Sequence, residues 1–505
     1  MPRNPVLMHL LRRMKKNIIP IITIAALMVS CSQADFWGGK YDYEGGYYMN
    51  AEAGMPGPGD DPAEGDRFDK IVENDFIDTE KQDTSTFSVD ADGAAYAYMR
   101  RCINDGWLPS ANSVRIEEYL NYFTFNYSDP QDGKGVALNA EAGPCPWNPE
   151  HKLLRLGIKG KTLEEIPVAN FVFLVDISGS MSSNDKLPLL KQGLITMLDY
   201  MNPKDRVAIV TYASGEKLEL QSTPVSEKNK IVKVIKNLAA SGATNGASAM
   251  KMAYEEALKN YIEGGNNRVI MGTDGDFNVG ITGTDAICEF VQNYASKGVY
   301  ITICGFGSGN LNDSMMEKVS NSGNGTYEYI DSENELTKVF VNERSRFISV
   351  ANDCKTQVAF NKDVVKQYRL VGYENRILQN DDFENDKVDA AEIGAGQTIT
   401  ALYELVMASG EGSIGKFNFR YKEAIGGESI PVSIELPAVA DNASENLQFA
   451  SALAAWGLWL RESKYMGTAN PEMVLDLAKN SLGEDPYGLR KEFVELVQKA
   501  QTLKK

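Results

Sequence analysis

Five side chains carry the most informative chemistry in this sequence: Asp176, Ser178 and Ser180 in "DISGS", Thr244 in "SGATNGAS" and Asp274 in "TDGD". The first three stand at i, i+2 and i+4, so an extended loop turns them to one side. All five are hard oxygen donors, which suit Mg²⁺ better than zinc or copper, with Mn²⁺ or Ca²⁺ as alternative ions. Three of them are neutral hydroxyls. An ion held by hydroxyls and only one or two carboxylates stays electron-poor and accepts a further anionic ligand, so the set is suited to recruiting a carboxylate from elsewhere. D-x-S-x-S alone is a weak signal that ordinary turns also produce. Its weight comes from Thr244 and Asp274 falling at further strand or helix junctions.

Loops so far apart in sequence need a frame that delivers them to one edge. From Val168 onward, apolar runs ("NFVFLVD", "RVAIVTYA", "NRVIMGTD", "VYITICGFG", "TYEYID") alternate with helical patterns at Leu187 to Met201, Lys228 to Ala239, Ala247 to Tyr261, Asp285 to Ser296 and Ser314 to Asn321. That alternation predicts an α/β domain over 168–348: a doubly wound, mostly parallel sheet with "KLELQ" antiparallel at one edge. Ligands of such sheets sit outside the carboxyl ends of the strands, where "DISGS" and "TDGD" both fall.

Asp176-x-Ser178-x-Ser180, Thr244 and Asp274 resemble the metal-ion-dependent adhesion site of the von Willebrand factor type A domain, a Rossmann-like fold. The likeness extends further: "STFSVDADGAAYAYMRR", "VRIEEYLNYF", "PCPWNPEHKLLRLGIKGK", "KLPLLKQG", "GGNNRVIMGTDGDFNVG" and "YRLVGYENRIL" are similar to bacterial YfbK-like lipoproteins across most of the chain from about Asp83. The resemblance implies a metal-binding recognition domain on an envelope lipoprotein. "SGATNGAS" departs from it, because relatives carry more glycine after the threonine.

Other chemistries fit less well. "GFGSGN" follows a strand like a dinucleotide fingerprint, but Asn310 stands at the third glycine position. "DGDFNVG" places Val279 at the glycine of an EF-hand loop. Phosphoryl transfer from an aspartyl nucleophile usually wants a second acid where Ser178 stands. Past the leader there is one histidine, His151, remote from "SGSM", which leaves a serine nucleophile without a base and excludes histidine-rich zinc catalysis. His151 reads instead as a hydrogen-bonded structural residue. No catalytic residues are therefore assigned. The expected function is binding of a protein ligand through an Asp or Glu carboxylate, or of another anionic ligand. The alternatives are an envelope assembly factor braced by the metal and, less favoured, a Mg²⁺-dependent phosphohydrolase.

Around this domain the chain is acidic, with a net charge of -18 over 505 residues, which argues against nucleic acid as a partner. That length exceeds the roughly 250–300 residues at which one core stops growing, so several domains are expected. Residues 1–30 read as a signal peptide: Lys15 and Lys16, the apolar run "IIPIITIAALMVS", then Cys31. "MVSC" resembles a bacterial lipobox, which implies lipid attachment at Cys31 and a membrane-anchored chain in the cell envelope, with the outer membrane favoured. The odd number and the wide, unpatterned spacing of the other five cysteines argue against a disulfide framework.

Residues 31–84, rich in Gly, Pro, Tyr and acids, read as a flexible tether. Residues 85–130 read as a small N-terminal helical module and 131–167 as a β segment. Residues 349–440 read as an antiparallel β-sandwich platform and 441–505 as a pair of C-terminal helices. A chain that enters and leaves a doubly wound domain at one rim suggests that the α/β domain is inserted in, or flanked by, that sandwich.

Overall fold

The run Ala169–Asp176 is buried at every position, as a strand covered on both faces must be. Its side chains alternate between two cores. Phe171, Phe173 and Val175 join the helical residues Leu190, Leu194 and Ile231, whereas Val172 and Leu174 join Met250, Ala253 and Val291. Helices on both faces of one sheet follow directly from that alternation.

The structure is a computed structural model that describes residues 66–89, 92–243, 248–275, 283–385, 390–424 and 426–503. All of these lie in one of the two units into which the chain divides, Asp61–Lys505. The leader, Cys31 and most of the expected tether lie outside the described residues.

In chain order, strands β1 (Ile77–Asp78) and β2 (Thr84–Ser88) precede helices α1 (Ala94–Asp105) and α2 (Ile116–Asn121). Gly106, at φ +97°, ends α1 in the left-handed conformation that glycine adopts without strain. The hairpin β3 (Val136–Pro144) and β4 (Lys152–Gly160) follows. The α/β portion runs β5 (Ala169–Asp176), α3 (Leu187–Tyr200), β6 (Arg206–Tyr212), β7 (Glu216–Pro224), α4 (Lys228–Asn237) and α5 (Ala249–Lys259). It continues through β8 (Asn266–Thr273), α6 (Thr284–Ala295), β9 (Tyr300–Phe306), α7 (Asp313–Ser322), β10 (Thr326–Ile330) and α8 (Glu333–Thr337). Then come strands β11 (Ser349–Phe360), β12 (Val365–Val371), β13 (Ile377–Leu378), β14 (Ile393–Gly394), β15 (Thr398–Met407), β16 (Gly415–Lys422) and β17 (Ser429–Glu435). Helices α9 (Glu445–Leu460), α10 (Pro471–Lys479) and α11 (Leu489–Ala500) follow.

The α/β sheet has the order β10-β9-β8-β5-β6-β7, parallel throughout except for β7, which pairs antiparallel with β6 at the edge. Order reverses on either side of β5, and the switch point between β5 and β8 is where ligands of such sheets bind. Two antiparallel sheets make the sandwich: β1-β12-β15-β4-β3, and β13-β2-β11-β16-β17 with β14 also on β11. Strand β4, before the α/β domain, pairs along its length with β15, after it. The α/β domain is therefore an insertion into the sandwich.

Period-two alternation builds the third layer. On β4 and β15, Leu154, Leu156, Ile399, Ala401 and Tyr403 enter the sandwich core, while Leu153 and Leu402 face the helices. Helices α1, α2, α9, α10 and α11 share that last core, with Trp456 fully buried and Trp459 stacked on it at 5.1 Å.

Three expectations are corrected here. The separate modules at 85–130 and 441–505 are one layer with one core, because amphipathic helices report that a face is buried but not what buries it. The C-terminal pair is three helices, interrupted around Gly483, Pro486 and Gly488. The tether does not extend to 84. Arg67 bridges to Asn312, the Asn74 side chain donates to the carbonyls of Leu370 and Gly372, and β1 pairs with β12, so contacts made far along the chain override a disorder-like composition.

After β10 the chain runs through α8, a wider π-type turn at Lys338–Asn342 and a 3₁₀ turn at Arg344–Phe347. The five described cysteines are free thiols, and Cys304 is fully buried as an apolar side chain would be.

Candidate metal centre

Strands β5 and β8 lie side by side in parallel, with Val175 opposite Gly272, so Asp176 and Asp274 leave the sheet at the same rim. Both carboxylates are fully buried. The loop after β5 folds back on Asp176: the Ser178 backbone N–H donates to Asp176 Oδ1 at 2.8 Å, and the Ser178 and Ser180 hydroxyls meet at 3.0 Å. Ser178 is buried and Ser180 is exposed, so the hydroxyl pair runs from the interior to solvent.

A second loop closes against the first. Ser241 N–H donates to the Ile177 carbonyl at 2.7 Å, and Gly179 N–H donates to the Gly242 carbonyl at 3.0 Å. Gly242 has φ +87°, and a Cβ there would come 2.5 Å from the Ser214 Oγ, so glycine is required for this approach. Thr244, two residues on, lies outside the described residues, as do residues 276–280 of the "DGDFNVG" stretch. Of the five expected donors the structure thus brings Asp176, Ser178, Ser180 and Asp274 to one rim.

Burial pushes the Asp176 carboxyl up to about 6; the Ser178 N–H and hydroxyl pull the other way, and the Asp274 charge adds to the rise. Tyr212, at the end of β6, is held protonated by burial and by the Asp176 charge. On Asp274, Oδ2 pairs with Lys186 Nζ at 2.9 Å, whereas the buried Oδ1 accepts no hydrogen bond among the described residues. An unsatisfied buried carboxylate oxygen is costly and is what a cation site offers. The donor set is oxygen only, two carboxylates with hydroxyls, so the residues fit a hard divalent ion. Consistent with so few acids, no cluster of three or more His, Cys, Asp or Glu forms a metal-like group among the described residues.

Several residues around the rim were not anticipated from sequence. Thr273 Oγ1 lies 3.4 Å from Asp176 Oδ2, and Lys186 pairs with Asp274, 88 positions further along the chain. "GFGSGN" does bind an anion through backbone N–H groups, but an internal one: Gly309 and Leu311 donate to Asp66 Oδ1 at 2.7 and 3.0 Å. That loop backs onto the rim, because a Cβ on Gly275 would come 2.4 Å from the Asn310 carbonyl oxygen. His151 lies elsewhere, with Nδ1 2.6 Å from Glu404 Oε1, while Arg369 pairs with the other Glu404 oxygen at 2.7 Å.

Comparison with known proteins places this geometry. The model of the von Willebrand factor type A domain matches residues 170–342, and that of the YfbK C-terminal region matches 345–427 and 409–503. A further model, described as von Willebrand factor, matches 62–155. The protein "Uncharacterized protein YfbK" of Escherichia coli (strain K12) is 37% identical over 465 residues, spanning 86% of this chain and 81% of that protein. The chain belongs to the YfbK family. Inter-alpha-trypsin inhibitor heavy chain H4 of Homo sapiens is 30% identical over 203 residues, which cover 38% of this chain and 21% of that protein. A solved von Willebrand factor type A protein from Catenulispora acidiphila is 16% identical, with a TM-score of 0.41 over 73% of this chain and 91% of that one. Residues 170–342 thus form a von Willebrand factor type A domain, flanked in this chain by antiparallel sheets and helices. Domains of this type commonly hold divalent metals at such a rim and generally serve in interactions between proteins rather than in catalysis.

Proposed function

We propose that this chain is a lipid-anchored binding protein of the cell envelope. In this reading the von Willebrand factor type A domain recognises a protein carboxylate, or another anionic group, through Mg²⁺ held by Asp176, Ser178, Ser180, Thr244 and Asp274. The observation that carries it is the rim itself: two fully buried carboxylates at the switch point, flanked by hydroxyls, one of them with an oxygen that accepts no hydrogen bond among the described residues. A bound divalent ion supplies an electron-poor centre for an anionic oxygen. The protein holds the two acids rigidly at strand ends and keeps the remaining donors neutral, so that a partner can complete the charge. Attachment through Cys31, with the outer membrane as location, is supported by the "MVSC" motif and the apolar leader.

The test is a pull-down from native membranes with Mg²⁺ or with EDTA, using the wild type and Asp176→Ala. The expected outcome is a partner captured only by the wild type and only with the metal, and a Cys31→Ser chain that leaves the membrane fraction. Capture indifferent to both EDTA and Asp176→Ala would reject the reading. A variant that loses thermal stability but keeps its partner would instead support an ion that only braces the rim.

A further inference from the structure

We propose that Lys186 is a resident counter-ion of the metal rim, an internal ammonium that a divalent cation must displace from Asp274, and that helix α1 sets how firmly it is held. The inference rests on the metal-binding reading of this rim and concerns how the site is loaded. Lys186 Nζ lies 2.9 Å from Asp274 Oδ2, and its side chain is only 11% exposed, so the long stem is packed rather than waving in solvent. Among the described residues it is the one cation paired with either rim carboxylate. An ammonium and a divalent ion drawn to the same carboxylate repel each other strongly in so enclosed a place, so the two exclude one another.

The surroundings are shaped for this lysine. Its stem passes Gly307, where a Cβ would come 2.2 Å from Lys186 Cε. The Gly307 carbonyl accepts a hydrogen bond from the Tyr329 hydroxyl at 2.6 Å, and that hydroxyl in turn accepts one from Arg101 Nη1 at 3.1 Å. Arg101, on α1, also pairs with Asp185 at 2.8 Å, and Ser183 donates to the other Asp185 oxygen. Asp185 is the residue before Lys186. A closed ring of contacts therefore runs from Lys186 through Gly307, Tyr329, Arg101 and Asp185 back to Lys186, which carries Asp274 at the rim. Displacing Lys186 loosens that ring, and loosening the ring at α1 weakens the hold of Lys186 on Asp274 Oδ2; the coupling is reciprocal. Metal affinity is reduced by the fraction of molecules in which the lysine occupies Asp274.

Calorimetric titration of the full chain with Mn²⁺ alone tests this. Lys186→Met should bind Mn²⁺ at least tenfold more tightly than the wild type. Arg101→Met, which keeps the lysine, should bind several-fold more tightly, and the double variant no more tightly than Lys186→Met. In EDTA, Lys186→Met should melt below the wild type, because Asp274 is left without its cation, and Mn²⁺ should restore the difference. Equal or weaker Mn²⁺ binding by both single variants would overturn the inference while leaving the metal site standing. If neither the wild type nor Lys186→Met binds Mn²⁺, the metal reading falls and this inference with it.

Discussion

Two assemblies of buried charge, one around Arg100 of helix α1 and one at the strand-end rim of Asp176 and Asp274, are completed to very different degrees. Arg100 is enclosed by Asp331 at 2.5 Å, Glu335 at 2.6 Å, Glu492 at 3.2 Å and the Tyr122 hydroxyl at 2.7 Å. Beside it Lys338 pairs with Glu343 at 3.0 Å and lies 4.2 Å over the Tyr122 ring. Arg100 lies on α1, and its partners come from the residue after α2, the end of the von Willebrand domain and α11, so the cluster joins the helical layer to the inserted domain. At the rim beyond β5 and β8, Asp176 has no cationic partner among the described residues and Asp274 has one. The first assembly spends its charges on each other. The second leaves a buried carboxylate oxygen without a hydrogen bond among the described residues, which is costly to the fold.

The largest expected effect tests the first half of that contrast. Arg100→Met leaves Asp331 and Glu335 buried without their principal cation, and breaking such a pair from one side costs about 3–5 kcal/mol. Urea unfolding should show that loss, with Mn²⁺ binding at the rim changed by less than a few-fold. A stability change under 1 kcal/mol would mean that the cluster is not what joins the layers, and the comparison would break.

The same contrast explains how much could be read from the sequence. The von Willebrand domain was legible because "NFVFLVD" and its companion strands are continuous apolar runs between helical patterns, and the rim donors alternate along one short loop or follow strand ends. The arrangement of α1 with α9–α11 was not, since apolar periodicity shows a buried face without its partner. Lys186 could be seen as a cation after an acidic loop, but nothing local shows its ammonium turning back to Asp274. Asp66 sat in a stretch whose composition suggested a tether, and only the folded chain brings it to the N–H groups of Gly309 and Leu311.

An intermediate effect separates members of the joining cluster. Glu335 and Glu343 are held below the ordinary carboxylate range: burial pushes each up, but Lys338, together with Arg100 for the first and Arg346 for the second, outweighs it. Glu328, on β10, goes the other way, pushed by burial from 4.5 to about 7 despite Arg346 and Lys338. A carboxyl whose folded value is raised contributes most below its unfolded value, and stability falls as pH rises from about 4.5 to about 7 because the unfolded chain releases the proton first. Glu328→Gln should flatten that fall and gain up to about 3 kcal/mol at pH 8. Unfolding curves at pH 5 and pH 8 check it, and an unchanged pH dependence would place Glu328 among the fully paired acids.

The smallest expected change in stability belongs to Asp176, a residue central to the proposed function. Asp176→Asn keeps the oxygen that accepts from Ser178 N–H, fills the same volume and removes a buried charge that has no cationic partner among the described residues. In EDTA its unfolding free energy should therefore stay within about 1 kcal/mol of the wild type, because the lost charge was itself unfavourable to bury. With Mn²⁺ the two should part: the wild type gains stability as the ion binds the folded state, about 2.7 kcal/mol at a hundredfold excess over the dissociation constant, and the variant gains none. Melting curves with and without Mn²⁺ measure both halves. If Asp176→Asn lost as much stability in EDTA as Arg100→Met, the rim carboxylates would be serving the fold as the cluster does, and the oxygen left open on Asp274 would need another explanation.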